Sequence, residues 1–282
     1  MSSQCAPEIR PGIEQWPGRV LVGFDGSAGA AFAVEWAVRE VAARGSSLRV
    51  GSSAPHPTCF DRRGVDDRRE QRLSRLLCEL RDEHPSLVVE LTAAYRDCRG
   101  DLIEEAGDAD LLVLAPSNQE SAEEVLLGSL ARRALRRSPC PVVVVRGSSN
   151  GPMRRIVVGV DGSSAAGAAI HWACREANLH RSALLLVVHS RECDISRAEP
   201  GSVLDLAVND CRERTGARVC GVLVEGSPAS ALIDASRTAD IVAVGSRGRS
   251  GFKTALFGSV ALSVAEGAHC PVAVTHPALR RD

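Results

Sequence analysis

Glycines, serines and basic side chains alternate within one short stretch near the end of the chain. The stretch reads VAVGSRGRSGFKTALFGSVA, and it places Gly245, Gly248, Gly251 and the pair Gly258-Ser259 after an apolar run. Glycines expose main-chain N–H groups to a ligand, and concave rows of such groups bind anions. A helix N-terminus adds partial positive charge that favours phosphate. The stretch therefore predicts a site for a polyphosphate ligand.

Positive charge and an acceptor accompany these glycines. Arg247, Arg249 and Lys253 lie among them, and Asp161 follows an earlier apolar run in the segment VDGSS. In an open parallel sheet, ligands bind beyond the carboxyl ends of the strands, where we expect both segments to meet. The Asp161 carboxylate could accept hydrogen bonds from a ribose hydroxyl or a base amine. It could equally cap the following helix, and the residue types leave both interpretations open.

Several other functions are disfavoured by composition and motif. The chain has no G-x-x-x-x-G-K-[ST] sequence, and DGSSAAG after the first strand of the second half lacks G-x-G-x-x-G. A net charge of −1 gives no basic stripe for nucleic acid. The segment MSSQCAPEIRPGIEQW has no apolar core of a signal peptide, and no run approaches the ~18 apolar residues of a membrane helix. We expect a cytoplasmic protein that binds neither nucleic acid nor membrane.

The 10 cysteines form no C-x-x-C pair. Zinc sites and redox dithiols use short paired spacings, whereas isolated cysteines in a chain of this size are mostly small buried hydrophobes. We therefore predict no metal site.

The chain repeats itself. RVLVGFDGSAGAAFAVEWAVRE from Arg19 and RIVVGVDGSSAAGAAIHWACRE from Arg155 agree at about half of their positions, and SPCPVVVVR resembles AHCPVAVTH. A repeat of this length indicates a duplicated domain, because solenoid repeats have only ~20–50 residues. We predict a lead-in over 1–18 and domains over 19–147 and 153–277, divided by the polar segment GSSNGP at 147–152.

Each half alternates apolar runs with helical segments. In the second half, strands are expected at Arg155–Val160, Ala183–His189, Arg218–Val224, Asp240–Val244 and Val272–Thr275, and helices at Ser164–Asn178, Gly201–Arg214, Pro228–Arg237 and Thr254–Glu266. Uninterrupted apolar strands between helices are typical of a parallel sheet covered on both faces. The sequence thus predicts two tandem, doubly wound, five-stranded α/β domains of Rossmann-like type. In the first half, the charged segment Val65–Glu83 is interpreted as a solvated helix.

The spacing G-x2-G-x9-G-S at Gly245, Gly248, Gly258 and Ser259 resembles the ATP-binding signature of the universal stress protein family. VGVDGS and CPVAV resemble segments of the same family, and the resemblance covers nearly the whole chain twice, as in tandem-domain members. It implies a five-stranded α/β domain that binds ATP or a related adenine nucleotide, with or without Mg²⁺. It also implies a role in stress adaptation, an unidentified protein partner and a homodimer.

The resemblance assigns site residues in the second domain. Asp161 would contact ribose or adenine, the backbone near Val188 would meet the adenine, and Ala229 would line the pocket. The remaining expected contacts lie after the first strand and along the glycine-rich segment: Gly159, Gly245, Ser246, Arg247, Gly248, Arg249, Ser250, Gly251, Gly258, Ser259 and Val260.

The first half departs from this pattern. When Gly128-Ser129 is matched to Gly258-Ser259, Gly245 becomes Ala115 and Gly248 becomes Asn118. The basic segment SRGRSGFK becomes PSNQESAE, which brings carboxylates where a triphosphate would bind. Like charges in a partly dry site disfavour binding. We therefore predict that the N-terminal domain binds ATP weakly or not at all; the alternative is a nucleoside without phosphates.

No catalytic residues are assigned. Hydrolysis needs a positioned water and usually a base or a metal. His189, Glu192 and Asp194 follow the second strand, but a histidine at a strand end is more often structural. The favoured function is a nucleotide-gated regulator with at most slow ATP hydrolysis. A nucleotide-independent interaction protein, whose domains pair through their fifth strands, is the alternative. An ATP-using activating enzyme ranks last, because the SGGxDS loop is missing.

Overall fold

The computed structural model describes residues 18–52, 63–92, 101–116, 127–146, 151–191, 200–247 and 258–277. The N-terminal half contains five strands, β1 to β5: Arg19–Phe24, Ser47–Ser52, Val89–Leu91, Leu111–Leu114 and Val142–Val144. Its helices are α1 to α4: Ala28–Arg44, Arg63–Glu83, Leu102–Glu105 and Ser129–Arg137, with a 3-10 turn at Ala106–Asp108.

The C-terminal half has the same order of elements. Its strands are β6 to β10: Arg155–Val160, Leu184–Arg191, Arg218–Glu225, Ile241–Gly245 and Val272–Thr275. Its helices are α5 to α8: Ser164–Leu179, Pro200–Arg214, Pro228–Ser236 and Ser259–Gly267. Among the described residues, no helix is long and apolar enough to cross a bilayer.

All ten strands form one sheet in the order β3-β2-β1-β4-β5-β10-β9-β6-β7-β8. Within each half the strands are parallel, and the two halves meet where β5 pairs with β10 in antiparallel fashion. Val144 pairs with Val272, and Val142 pairs with Val274. The predicted five-stranded parallel domains are confirmed, and their fifth strands join them into a continuous sheet.

Valine, leucine and alanine build the core on both faces of this sheet. One apolar layer packs β-strand side chains such as Val22 and Val158 under α1, α2, α5 and α6. The opposite layer packs Leu112, Val144 and Val242 under α4, α7 and α8. Residues of both halves contribute to each layer, so the hydrophobic burial that stabilises one domain continues into the other.

Polar contacts reinforce the junction next to β5 and β10. The Arg146 guanidinium follows β5 and donates from Nε to the Ala265 carbonyl at 3.0 Å and from Nη2 to the Glu266 carbonyl at 2.6 Å. The equivalent residue after β10, His276, donates from Nε2 to the Leu135 carbonyl at 2.8 Å. Each side chain thus binds carbonyls in the last turn of the other domain's final helix, where carbonyls lack intrahelical partners.

The predicted elements of the second half differ from the observed ones mainly at one helix. The helix expected at Thr254–Glu266 begins at Ser259 instead, because Gly258 has extended backbone (φ −72°, ψ 131°) and is the N-cap. Residues 254–257 lie outside the described residues. Other observed bounds agree within one or two residues, and Pro228 begins α7 as expected of proline in a first turn.

Candidate functional site

The carboxyl ends of β6 and β9 approach each other in the C-terminal domain. Ser163, which follows β6, donates from its hydroxyl to the Arg247 carbonyl after β9 at 3.3 Å. Ser246 lies beside Arg247, and its N–H donates to the Thr275 carbonyl at 2.7 Å. The Ser246 hydroxyl is buried and has no hydrogen-bond partner among the described residues. The two segments singled out in the sequence therefore meet at one end of the sheet.

Asp161 orders the turn between β6 and α5. Its Oδ1 accepts from the Ser163 N–H at 2.9 Å, and the Ser163 hydroxyl accepts from the Ala166 N–H at 3.1 Å as the N-cap of α5. Asp25 and Ser27 make the same two contacts at α1 of the N-terminal domain. The helix cap is thus Ser163, and Asp161 holds the backbone that leads into it.

The N-terminus of α8 faces the same end of the sheet. Its N-cap is Gly258, which has no side chain to accept a hydrogen bond from the first helical turn. The Gly258 N–H donates to the Ser246 carbonyl at 2.8 Å, so this helix start is tied to the segment after β9. The following amides, beginning with those of Ser259 and Val260, lie in the first turn, where N–H groups lack intrahelical acceptors. Such groups with the helix dipole form an anion-binding position.

Two glycines of the expected site are explained by packing. A Cβ on Gly245 would be 2.5 Å from the Ala165 carbonyl carbon, so α5 could not lie as close to β9. A Cβ on Gly159 would be 2.8 Å from a methyl group of Leu232 in α7. Both glycines therefore let helices approach the sheet. At Gly258 a Cβ would be 3.1 Å from the Ser246 carbonyl oxygen, which is a tight contact but a less severe one than at Gly245 or Gly159.

Val188 and Ala229 lie on one side of this region. Val188 is in β7, pairs with Gly159 and is almost fully buried. Ala229 is in the first turn of α7 and packs, partly buried, against the same apolar layer. The structure thus brings together the described members of the predicted site: Gly159, Asp161, Val188, Ala229, Gly245, Ser246, Arg247, Gly258, Ser259 and Val260. Gly248, Arg249, Ser250 and Gly251 lie outside the described residues.

His189 has a structural contact at the same end of the sheet. Its Nδ1 donates to the Val160 carbonyl at 2.8 Å, which fixes the ring over the end of β6. Glu192 and Asp194 lie outside the described residues, so the described part of the site supplies no pair of base and nucleophile. Nothing in its geometry assigns a reaction.

The N-terminal domain has a matching end of the sheet with different residues. Its α4 also begins after a glycine N-cap, Gly128, without a side-chain hydrogen bond. Ala115 takes the place of Gly245, and it faces Gly29 of α1, where a Cβ would be 3.5 Å from the Ala115 Cβ. Asn118, Glu120, Glu123 and Glu124 lie outside the described residues. Both helices thus begin after a glycine N-cap, but among the described residues the hydrogen bond from the Gly258 N–H to the Ser246 carbonyl has no counterpart at Gly128.

A separate polar cluster joins the domains where α1 and α5 meet. Glu40 and Arg44 of α1 meet Glu176 of α5 and His180, the residue that ends α5. Arg44 contacts Glu40 Oε1 at 2.7 Å and Glu176 Oε1 at 2.5 Å, and His180 Nε2 lies 3.0 Å from Glu40 Oε2. We call these four residues the interdomain cluster. Sequence reasoning missed it, although Glu40/Glu176 and Arg44/His180 occupy equivalent positions of the repeat.

The interdomain cluster has the donor atoms of a metal site but not its charge. One atom each of Glu40, Glu176 and His180 lie within 4.8 Å of one another. Arg44 already bridges both carboxylates and supplies the positive charge that a cation would bring. The geometry therefore indicates an ion-pair network rather than a metal centre.

Both halves of the chain match the model of a known family. The family model described as "Universal stress protein family" matches residues 18–146 and again residues 152–276. The chain is therefore a member of the universal stress protein family with two tandem domains.

Its relatives have a similar length. A universal stress protein of Mycobacterium tuberculosis is 30% identical over 92% of this chain and 97% of its own length. One from Mycolicibacterium smegmatis is 26% identical over 92% of this chain and 97% of its own length. The crystal structure of a universal stress protein from Archaeoglobus fulgidus, at 18% identity, superposes with a TM-score of 0.71 over 92% of this chain and 98% of that chain. That likeness supports the fold.

Proposed function

We propose that this protein binds ATP or a related adenine nucleotide in its C-terminal domain and acts as a nucleotide-gated regulator of stress adaptation, with at most slow hydrolysis. The observation that carries the proposal is the start of α8, which has no side-chain cap and is tied to the segment after β9. Ser163 links that segment to the turn after β6. An anionic group at this point would meet first-turn amides and the exposed Arg247.

The described contacts refine the expected roles. The amides of Ser246 and Gly258 are already hydrogen-bonded to the protein's own carbonyls. In our proposal, phosphate is therefore bound by the amides of Ser259 and Val260, with Arg247 and the segment Gly248–Gly251. The nucleoside lies toward Asp161, Val188 and Ala229, and Mg²⁺ would enter with the triphosphate. Gly159 and Gly245 contribute by letting α7 and α5 pack closely.

The proposal places one nucleotide in each chain. The acidic residues that replace the basic segment in the first half would repel phosphates, although both helices begin after a glycine N-cap. Nucleotide extracted from the purified full-length protein should not exceed one equivalent per chain. Two equivalents would contradict the asymmetry.

A matched pair of substitutions tests the site. Gly248→Glu places a carboxylate in the proposed phosphate position, and Asn118→Glu makes the same change at the equivalent position of the first half. We expect titration calorimetry with ATP to show at least a tenfold loss of affinity for Gly248→Glu and no change for Asn118→Glu. Equal binding by wild type and Gly248→Glu, or binding by neither, would remove the basis of the nucleotide proposal.

A second candidate is a nucleotide-independent interaction protein. The pairing of β5 with β10, which makes the tandem domains a pseudo-dimer, favours it. It predicts that Gly248→Glu leaves partner binding unchanged in cells, whereas a nucleotide-gated regulator would lose it. We also propose a cytoplasmic location and a homodimer. Because β5 and β10 pair with each other within one chain, such a homodimer would use other surfaces.

A further inference from the structure

The interdomain cluster is deeply buried, and its negative charges outnumber its permanent positive charge. Glu176 is fully buried and Glu40 is 2% exposed. Two carboxylates face one guanidinium, so the cluster carries a net negative charge when both carboxylates are ionised and His180 is neutral. Arg175, the other basic group near Glu176, lies 3.7 Å away and is half exposed, so solvent weakens its effect. Burying an uncompensated charge is costly, and a bound proton removes that cost.

The contacts identify which carboxyl holds the proton. Glu40 is bound on both oxygens, by Arg44 on Oε1 and by His180 on Oε2. Glu176 accepts a hydrogen bond from Arg44 on Oε1, whereas its Oε2 has no hydrogen-bond partner among the described residues and lies 3.7 Å from His180 Nε2. A carboxyl that is fully buried and half satisfied gains most from protonation, because its O–H then becomes a donor. Glu40 is the adjacent acceptor for that donor.

A cavity gives water access to the cluster. Its volume is about 90 Å³, and Glu40 and His180 line it together with Trp36, Arg39, Met153 and Asp240. Met153 lies just before β6, so the cavity opens beside the connection between the domains. Arg39 and Asp240 are the additional charged groups on this side, one from each domain. Protons can therefore exchange with solvent without unfolding of the interface.

We propose that the interdomain cluster is a proton-operated latch: a proton held between Glu40 and Glu176 keeps α1 and α5 together, and its loss weakens the contact between the domains. With that proton, the Arg44 guanidinium balances the charge of the remaining carboxylate, and His180 contacts the same carboxyl pair. Without it, and once His180 is neutral, two buried carboxylates repel each other across a single guanidinium.

The direction of the pH dependence follows from the individual groups. Burial, and then the neighbouring Glu40 charge, raise the pKa of Glu176 to about 7. The pKa of Glu40 is lowered to about 2, because the hydrogen bond from His180 and the charge of Arg44 outweigh burial. The pKa of His180 is raised, because its contacts with Glu40 and Glu176 outweigh burial. The pair of Glu40 and Glu176 thus holds one proton at pH values between about 2 and about 7.

Each shift contributes stability in a different range. The lowered pKa of Glu40 stabilises the fold above its unfolded value of 4.5, and this is lost as pH falls toward about 2. The raised pKa values of Glu176 and His180 stabilise it at lower pH, and this is lost as pH rises through about 7 for Glu176. The latch is therefore tightest in mildly acidic solution, and the Glu176 contribution is lost as the pH rises from about 4.5 to about 7.

Unfolding of the full-length chain across pH tests the latch. Glu176→Gln keeps a neutral, donating side chain and so imitates the protonated state. We expect the urea midpoint of the wild type to fall between pH 5 and 7.5, and that of Glu176→Gln to change less and to exceed the wild type at pH 7.5. Glu266→Gln removes another interdomain ion pair, with Arg132, and should shift the midpoint equally at every pH. Parallel pH profiles of wild type and Glu176→Gln would overturn the proposal.

Two measurements on the wild-type protein test the proposal without any substitution. Carbon NMR of glutamate-labelled protein should show one carboxyl that titrates near pH 7, and titration of every carboxyl below pH 5.5 would overturn the proposal. Amide exchange, corrected for its intrinsic pH dependence, should quicken between pH 5 and 7.5 in the last turns of α1 and α5 more than in α4. Uniform exchange would show that the interface does not respond to this proton.

Discussion

Gly245 and Ala165 lie so close together that a Cβ on Gly245 would be 2.6 Å from the Ala165 carbonyl oxygen and 2.8 Å from its Cβ. The N-terminal domain has the two residue types exchanged, with Ala115 on the strand side and Gly29 in the helix. Each domain therefore has one glycine, paired with an alanine, where its first helix crosses the end of its fourth strand. A glycine that resembles part of a nucleotide signature is required here by packing.

This relationship predicts a coupled pair of substitutions. Gly245→Ala should lower the free energy of unfolding by about 1–3 kcal/mol, because it forces α5 away from β9. In Gly245→Ala/Ala165→Gly the contact between side chains is relieved while the backbone contact remains, so the double variant should recover part of that loss. Urea unfolding of all four proteins measures the coupling. Strictly additive effects would show that the two positions do not press on each other.

Ser163 should affect both stability and ligand binding. Ser163→Ala removes the N-cap of α5 and the contact with the Arg247 carbonyl, and should cost about 1 kcal/mol of stability. Ser27→Ala removes the equivalent cap of α1 at a similar cost. ATP titration should show weaker binding for Ser163→Ala only. An equal effect of both variants on ATP affinity would place the site elsewhere.

Two cysteines near the junction should resist alkylation. Burial raises the pKa of Cys140 to about 11, although the Ser138 hydroxyl partly offsets it, and burial with the Asp240 charge raises that of Cys270 to about 12. At pH 8 the thiolate fraction of Cys140 is then about one in a thousand or less. Iodoacetamide followed by peptide mapping should label neither thiol in the native protein and both in urea. Rapid native labelling of either would contradict their burial.

Arg146 should contribute more to the stability of the protein than the neighbouring ion pair between Arg132 and Glu266. Arg146→Ala leaves carbonyls of Ala265 and Glu266 without their donor at a half-buried position, and we expect a loss of about 1–3 kcal/mol. Arg132→Ala breaks the more exposed pair with Glu266 and should cost no more than about 1 kcal/mol. Thermal unfolding ranks the two. A larger effect of Arg132→Ala would mean that the ion pair, and not the helix-end contact, fastens the domains.

The sequence was sufficient for the domain fold because its signals are local. Runs such as Val142–Val144 and Ile241–Gly245 are buried on both faces and lack alternation, which predicts a parallel sheet. The helix after β6 was predicted to start at Ser164 and does so, with Ser163 and not Asp161 as its N-cap. The late start of α8 was missed, because Gly258 reads equally well as a residue within a helix or as its cap.

Contacts between the two halves could not be predicted from such local sequence patterns. Glu40 and Glu176 occur within ordinary amphipathic helices, and only the antiparallel union of β5 with β10 brings α1 and α5 together. The family resemblance places Gly159 and Gly245 in the nucleotide site, and a bare sequence does not show that Leu232 and Ala165 occupy the space beside them. The phosphate site is still a prediction, and its outcome depends on Gly248–Gly251.

Because Arg44 and His180 stand at matching places in the repeat, the covalent union of the copies has a chemical consequence. Two identical subunits around a true two-fold axis would have to present two arginines or two histidines to the facing glutamates. Encoding both copies in one gene frees them to differ, so an always-charged base can be combined with one that titrates near physiological pH. Joining the two copies in one chain therefore lets two different bases face the glutamates, which a two-fold symmetric contact would not allow.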